Sequence, residues 1–489
     1  MQTIEQWDVF EAAFEANEGG NPFSDVQFSA TFRCRSRSLT VDGFFDGGRT
    51  WRVRFMPDSQ GEWTYTTASN HRQLTGRSGQ FVCAAPSAGN RGPVSVARQY
   101  HFAYADGTPF SNIGTTCYAW AHQGQAMVKQ TLDTLAQGPF NKLRMCVFPK
   151  SYLFNNGEPP VHAFPVLRAG TMQYGGQSDS SQEATWLMDL SRFEPAFFQN
   201  IDCCVQGLLR LGIEADIILL HPYDRWGYAK MPPEAEDRYL RYVCSRLSAF
   251  RNVWWSFANE WDLFRNKSVG DWERHARIIQ ESDPYGRLRS IHNAYRNYDH
   301  TRPWVTHVSF QGHPEKVSVL RKDYGKPVVV DECGYEGDIS NTWGNLSAQE
   351  MTWRFWLATC LGGYCGHGET YEHPEELLWW SKGGVLRGQS PRRLSFLRKI
   401  VEENAACGGY EPFRNTSRVV NRGDREILWF SYLHQPRRWE VELPPGGQFI
   451  AQVIDPWEMT VETLGQQFSG RCNIPLPARP YTIVRLVKE

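Results

Sequence analysis

The chain has 489 residues, Lys+Arg 52 against Asp+Glu 53, and 41% hydrophobic and 21% charged residues. These figures exclude a disordered chain, call for about three domains, and remove the electrostatic case for nucleic acid or an anionic membrane surface as partner. No apolar run reaches the ~18 residues of a membrane-spanning helix.

The opening segment, "MQTIEQWDVFEAAFEANEGG", is acidic and lacks the basic and apolar regions of a secretory signal. The 12 cysteines include no C-x-x-C and no zinc-ligand spacing, and so read as free thiols of a cytoplasmic protein. Residues 1–99 then carry short β-rich runs ("VQFSATFRC", "LTVDGFF", "TWRVRFMP", "GEWTYTT", "GQFVCAA") separated by turn residues such as "FDGG" and "PDSQG". That spacing predicts an antiparallel β-sandwich, with "APSAGNRGP" leading out of it.

From residue 100 to 408 short apolar runs alternate with amphipathic helical stretches, the pattern of βα units. Eight candidate strands lie at 110–116, 142–148, 214–220, 253–259, 287–293, 304–310, 327–333 and 360–368, with helical spacing at 234–250, 269–283 and 347–361. Eight such units predict a (β/α)8 TIM barrel, an α/β fold, flanked by the two β domains. Residues 409–489 return to β patterning ("EILWFSYL", "RRWEVELPP", "FIAQVIDP") and predict a C-terminal sandwich.

A parallel barrel carries its chemistry at the C-terminal ends of its strands. Here those ends turn polar or aromatic together: Tyr118, Trp120 and His122 after strand one, Arg144 and Lys150 at strand two, His221 after strand three. Asn259-Glu260 follow strand four and His292-Asn293 belong to strand five. Strand six offers His307 and Gln311, strand seven Asp331-Glu332, and strand eight His367, Glu369 and Trp379-Trp380. Singly, each reads as a hydrogen-bonded structural residue. As a ring they make a wet, concave pocket with flat walls, suited to a sugar. The 19 Trp, 20 Tyr and 28 Phe can serve equally as core or as stacking platforms.

Glu260 and Glu332 end buried apolar runs on strands that face each other across the barrel mouth. Two opposed carboxyls are what glycosidic cleavage requires: one protonated to serve the leaving oxygen, one ionised to attack or to activate water. At close spacing each charge raises its neighbour's pKa, which keeps one of them protonated.

"SFANEWD" and "VVVDECGYEG" resemble the strand-four and strand-seven motifs of clan A glycoside hydrolases, family 5 among them. "GFFDGGRTWRVRFMPDSQGEWTY" and "DGTPFSNIGTTCYAW", with the three-part layout, resemble apiosidase-like and cellulase-type bacterial proteins. The resemblance implies that Glu260 is the acid/base, Glu332 the nucleophile and Asn259 the partner of the sugar 2-OH. It implies that Arg144 favours the charged form of Glu332 and that His221 contacts substrate. The His-x-Tyr common on strand six of the clan is missing. His307, Gln311 or Tyr335 is left to fill that space, and Trp379 or Trp380 must fold back to floor the subsite. Tyr118, Trp120, His367 and Glu369 complete the candidate substrate contacts.

The expected function is therefore a retaining glycosidase needing no cofactor and no metal. It is exo-acting on small β-linked glycosides, with loops 149–185 and 367–385 narrowing the cleft. A catalytically silent carbohydrate-binding barrel and a transglycosidase using the same glutamates are the alternatives. The expected partner is a small carbohydrate, with no nucleic acid or membrane, and a homo-oligomer is left open.

Overall fold

The computed structural model describes residues 1–489 apart from 18, 171–185 and 414–416, so part of the predicted 149–185 loop lies outside the described residues. Eight parallel strands form one nearly closed sheet: Ile113–Thr116, Lys142–Cys146, Glu214–Leu220, Val253–Ala258, Arg289–Ser290, Val308–Gln311, Val328–Glu332 and Tyr364–His367. We call them barrel strands one to eight. No ladder joins strands five and six, but the gap is bridged where the Thr306 amide donates to the Arg289 carbonyl at 2.9 Å.

The buried runs that defined these strands are two-faced. In strand two, Leu143 and Met145 point outward into the core beneath the helices, and in strand four Val253, Trp255 and Phe257 do the same. The intervening positions face the barrel axis, as the two-residue strand period requires. The expected helices are Pro233–Leu247, Val269–Ser282 and Ala348–Thr359. Val269–Ser282 starts on a capping box between Ser268 and Asp271, and Pro233 opens the first of them, where a missing N–H costs nothing.

The barrel axis is strongly polar. Lys142 Nζ donates to Asp216 Oδ2 at 2.8 Å and to Asp331 Oδ1 at 2.7 Å, all three groups being buried. Burial alone would raise the Asp331 carboxyl, but Lys142 and Arg144 hold it well below the carboxylate range. Replacing Lys142 by Met strands two carboxylates in the barrel. We expect that to cost about 3–5 kcal/mol, read as a lowered denaturation midpoint. An unchanged midpoint would contradict the pairing.

The N-terminal region is a five-stranded sheet facing a three-stranded one. Their shared core stacks Phe32 on Phe55 at 4.0 Å and Phe10 on Phe81 at 4.2 Å. Two of its strands, Gln2–Glu5 and Phe10–Glu15, lie in the acidic opening segment that composition alone did not mark as β. Arg246 ties this region to the barrel, donating to Asp46 at 2.8 Å and Asp202 at 2.5 Å. A further three-stranded sheet, Val94–Ala97, His101–Tyr104 and Pro109–Phe110, plugs the barrel floor, where Phe102 and Phe110 pack on Trp254. At the C-terminus a six-stranded sheet is covered by a two-stranded antiparallel sheet of Arg438–Glu442 and Arg471–Pro475. It meets the barrel where Tyr481 stacks on Trp353 at 3.4 Å. Among the described residues no helix is long and apolar enough to cross a membrane.

Candidate active site

Barrel strand four ends at Ala258, and the chain turns sharply at Glu260, whose backbone is left-handed at φ 54° and ψ 58°. A branchless glycine would sit there more easily. Holding a glutamate there costs roughly 1–3 kcal/mol, a strain typical of residues whose side chain is needed in place. The turn is enforced on both sides. The Trp261 amide donates to the His292 carbonyl at 2.9 Å, and the Leu263 amide to the Glu260 carbonyl at 3.0 Å.

On the opposite wall, strand seven carries a register irregularity that sets Gln311 directly against Glu332. Bulges of this kind re-aim side chains near active sites. The Gln311 amide lies between both acids, and its nitrogen is assigned to the side that faces them because only that orientation sets a donor against acceptors. It donates to Glu260 Oε1 at 3.2 Å and to Glu332 Oε2 at 3.0 Å. One nitrogen touching both carboxylates keeps the facing oxygens within two hydrogen-bond lengths, ~6 Å at most.

Each acid has its own phenol. Tyr223 donates to Glu260 Oε2, and Tyr118 donates to Glu332 Oε1. Tyr335, from the loop after strand seven, also bonds Glu332, with its hydroxyl 3.4 Å from that of Tyr118. A Cβ at position 368 would overlap the Tyr335 ring, so Gly368 makes this approach sterically available. Asn259 Nδ2 donates to Glu260 Oε2 at 3.2 Å, and its Oδ1 accepts from Arg144 Nη2 at 3.1 Å and lies 3.2 Å from the Tyr118 hydroxyl.

Lys150 reaches the same space from the loop after strand two. Its Nζ lies 3.8 Å from the Tyr118 ring centre, 4.2 Å from that of Tyr223 and 5.0 Å from that of Trp380. Burial pulls the lysine below its usual pKa, opposed by the charge of Glu260. Glu260 itself is pushed up to about 7, first by burial and then by the charge of Glu332, with Lys150 acting the other way.

These groups line a cavity of about 460 Å³, walled by Tyr152, Trp343 and Trp380 and reached also by Arg265 and Tyr295. A ligand site of this volume holds a small molecule. A larger, more open cavity of about 610 Å³ lies at the seam with the N-terminal sandwich, where Asp42 is the sole acid among its lining residues.

The sequence-predicted residues divide clearly. Glu260, Glu332, Asn259, Tyr118 and Gln311 meet around the cavity. Arg144 stands behind it, in hydrogen-bond contact with Asn259 and Ser256, not with Glu332. His221 is turned away to the Phe148 carbonyl at 3.1 Å, and burial drops its pKa to about 3. His307 precedes strand six and packs on Phe102 and Trp254 at the barrel floor, below the mouth. Trp120 donates to Met145 Sδ at 3.4 Å within the core. Of the paired tryptophans, Trp380 lines the cavity, while Trp379 is buried against Thr115 at 2.9 Å. His367 and Glu369 are buried beneath the loop after strand eight and do not line the cavity. Sequence reasoning passed over Tyr223, Tyr152 and Trp343. Tyr223 had a usable signal, since it lies in the loop immediately after strand three.

The model of an apiosidase-like catalytic domain matches residues 97–393, and domain families of unknown function match residues 3–70 (DUF5060) and 416–487 (DUF5605). A candidate glycoside hydrolase from Bacteroides vulgatus ATCC 8482 is similar over 100% of both chains, with 37% identity and a TM-score of 0.92. A family 5 glycoside hydrolase from the same organism shares the fold, at 15% identity and a TM-score of 0.59 over 81% of this chain and 94% of its own. No curated protein sequence matches. With a family model spanning more than half its length and a full-length relative of this identity, the chain belongs to the apiosidase-like family of glycoside hydrolases.

Proposed function

We propose that the protein is a retaining glycoside hydrolase acting by double displacement, with Glu332 as nucleophile and Glu260 as acid/base. The observation that carries this reading is Gln311 touching both acids, which keeps their facing oxygens closer than the about 6.5–9.5 Å that leaves room for an attacking water. Glu332 attacks the anomeric carbon as Glu260 gives its proton to the leaving oxygen. Glu260 then takes a proton from the water that releases the sugar. The substrate in this reading is a small β-linked glycoside cut from its end. The cavity volume and the aromatic wall of Tyr152, Trp343 and Trp380 support that size. The free state of all 12 cysteines supports a cytoplasmic setting.

The test is to screen nitrophenyl glycosides and follow the best by NMR. The first anomer formed should match the substrate's configuration. The opposite anomer appearing first would overturn the mechanism.

A pH profile follows from the same geometry. Glu260 must be protonated to act, so kcat/KM should fall as pH rises through about 7. The Lys150 charge lowers the Glu260 pKa, so Lys150→Met should move this alkaline limb to higher pH. A limb that stays in place would show that Lys150 does not act on Glu260.

A further inference from the structure

The loops after barrel strands seven and eight are joined by a short parallel ladder, Glu336–Gly337 against Glu369–Thr370. Three buried side chains converge there: Glu336, His367 and Glu369 each offer one donor atom within 4.8 Å of the other two. Two ligands of one ion, at about 2.0–2.6 Å each, are separated by no more than about 5 Å, so this spacing suits a single cation.

The imidazole is prepared for that role. His367 is fully buried, and its Nδ1 lies 3.1 Å from Thr115 Oγ1, while Nε2 has no hydrogen-bond partner among the described residues. A ring that gives its Nδ1 proton to Thr115 presents the Nε2 lone pair, as metal-bound histidines do. The carboxylates are only distantly compensated, Arg387 acting on Glu369 and Arg393 on Glu336 through space. Among the described residues neither has an ion-pair partner. Among the described residues Glu369 accepts from the amides of Arg387 and Gly388 alone, leaving lone pairs open. Glu336 accepts from the Gln389 and Ser390 amides and from the Ser390 and Tyr371 hydroxyls. Tyr371 is part-exposed, and its hydroxyl can turn to water and free a lone pair. Two buried negative charges without a direct ion pair are costly.

We propose that Glu336, His367 and Glu369 form a structural site for one divalent transition-metal ion of the Zn²⁺ or Mn²⁺ kind, tying together the loops after strands seven and eight. One imidazole and two carboxylates favour such an ion over Ca²⁺, which takes oxygen ligands in larger number. None of the three lines the sugar cavity, but Tyr335 and Trp380 on the same loops do. The ion therefore acts on loop stability, not on the reacting bond. A shared proton is the competing remedy, since burial and the neighbouring carboxylate push Glu369 up to about 7.

The test uses the full chain, stripped with chelator, loaded with Zn²⁺ and desalted. Bound metal is measured for wild type, Glu369→Gln and His367→Gln. The wild type should hold one more ion per chain than either variant, and Zn²⁺ should raise its Tm by a few degrees. Co²⁺ loaded into the wild type should give ligand-field bands without a thiolate charge-transfer band, which separates this site from the cysteines even if the variants fail to fold. Equal metal content in wild type and folded variants, a cobalt spectrum dominated by thiolate, or no retained metal and no Tm shift would each overturn the proposal and leave the proton as the remedy.

Discussion

Glu332→Gln is expected to lower kcat by about 10⁴-fold or more, ~5.5 kcal/mol of barrier, with the fold intact. The substitution keeps the side chain's shape and an acceptor for Tyr118, but it replaces the anionic oxygen that bonds the anomeric carbon with a neutral, weakly nucleophilic amide. Tyr118, Tyr335 and Gln311 all aim donors at this one carboxylate, so the site is organised around a group whose oxygen moves onto substrate and off again. Cutting the side chain back to glycine leaves a gap beside the bound sugar. Azide entering it should restore turnover of activated substrates and give a glycosyl azide of inverted configuration, the product of one displacement where the native enzyme makes two. A retained azide, or a Glu332→Gln enzyme within tenfold of wild type, would assign the nucleophile elsewhere.

How much of this was legible beforehand differs from residue to residue, for physical reasons. Glu260 and Glu332 stood out because each ends an apolar run, where an unpaired carboxylate has no cheap structural explanation. Asp331, one position earlier, carries the same local signal and is a framework group, paired with Lys142. Only the inward alternation of strand seven separates the two, and a register irregularity beside Gln311 helps decide where that alternation delivers each side chain. The histidines misled for a related reason. His221 and His307 lie near strands three and six, but one hydrogen-bonds a backbone carbonyl and the other sits at the barrel floor. Polarity near a strand does not state direction. Strand five is only Arg289–Ser290, whereas strands three and four were readable because their runs, Glu214–Leu220 and Val253–Ala258, are long and mostly apolar. The opening strands Gln2–Glu5 and Phe10–Glu15 were not, because their acidic residues lie on exposed or half-buried faces while Phe10 alone is fully buried.

Glu260→Gln should divide substrates by leaving group. For alkyl or sugar leaving groups, which need a proton, we expect about 10²–10⁴-fold loss in kcat/KM. For dinitrophenyl glycosides, whose leaving oxygen departs as a stable anion, the first step should be nearly spared. The second step still needs a base, so the glycosyl-enzyme should accumulate and appear as a burst of dinitrophenolate followed by slow turnover. Azide needs no deprotonation and should relieve that block, giving an azide of retained configuration, opposite to the result at Glu332. The alkaline limb near pH 7 should also vanish from the variant's profile, because the group that burial and Glu332 push up to about 7 is gone. The two acids occupy one cavity and share Gln311, so loss of either disturbs the same hydrogen-bond network. What separates their roles is the stereochemistry of rescue and the dependence on leaving group. Equal loss for every leaving group, with no burst and no azide effect, would mean that Glu260 holds the site together without moving a proton.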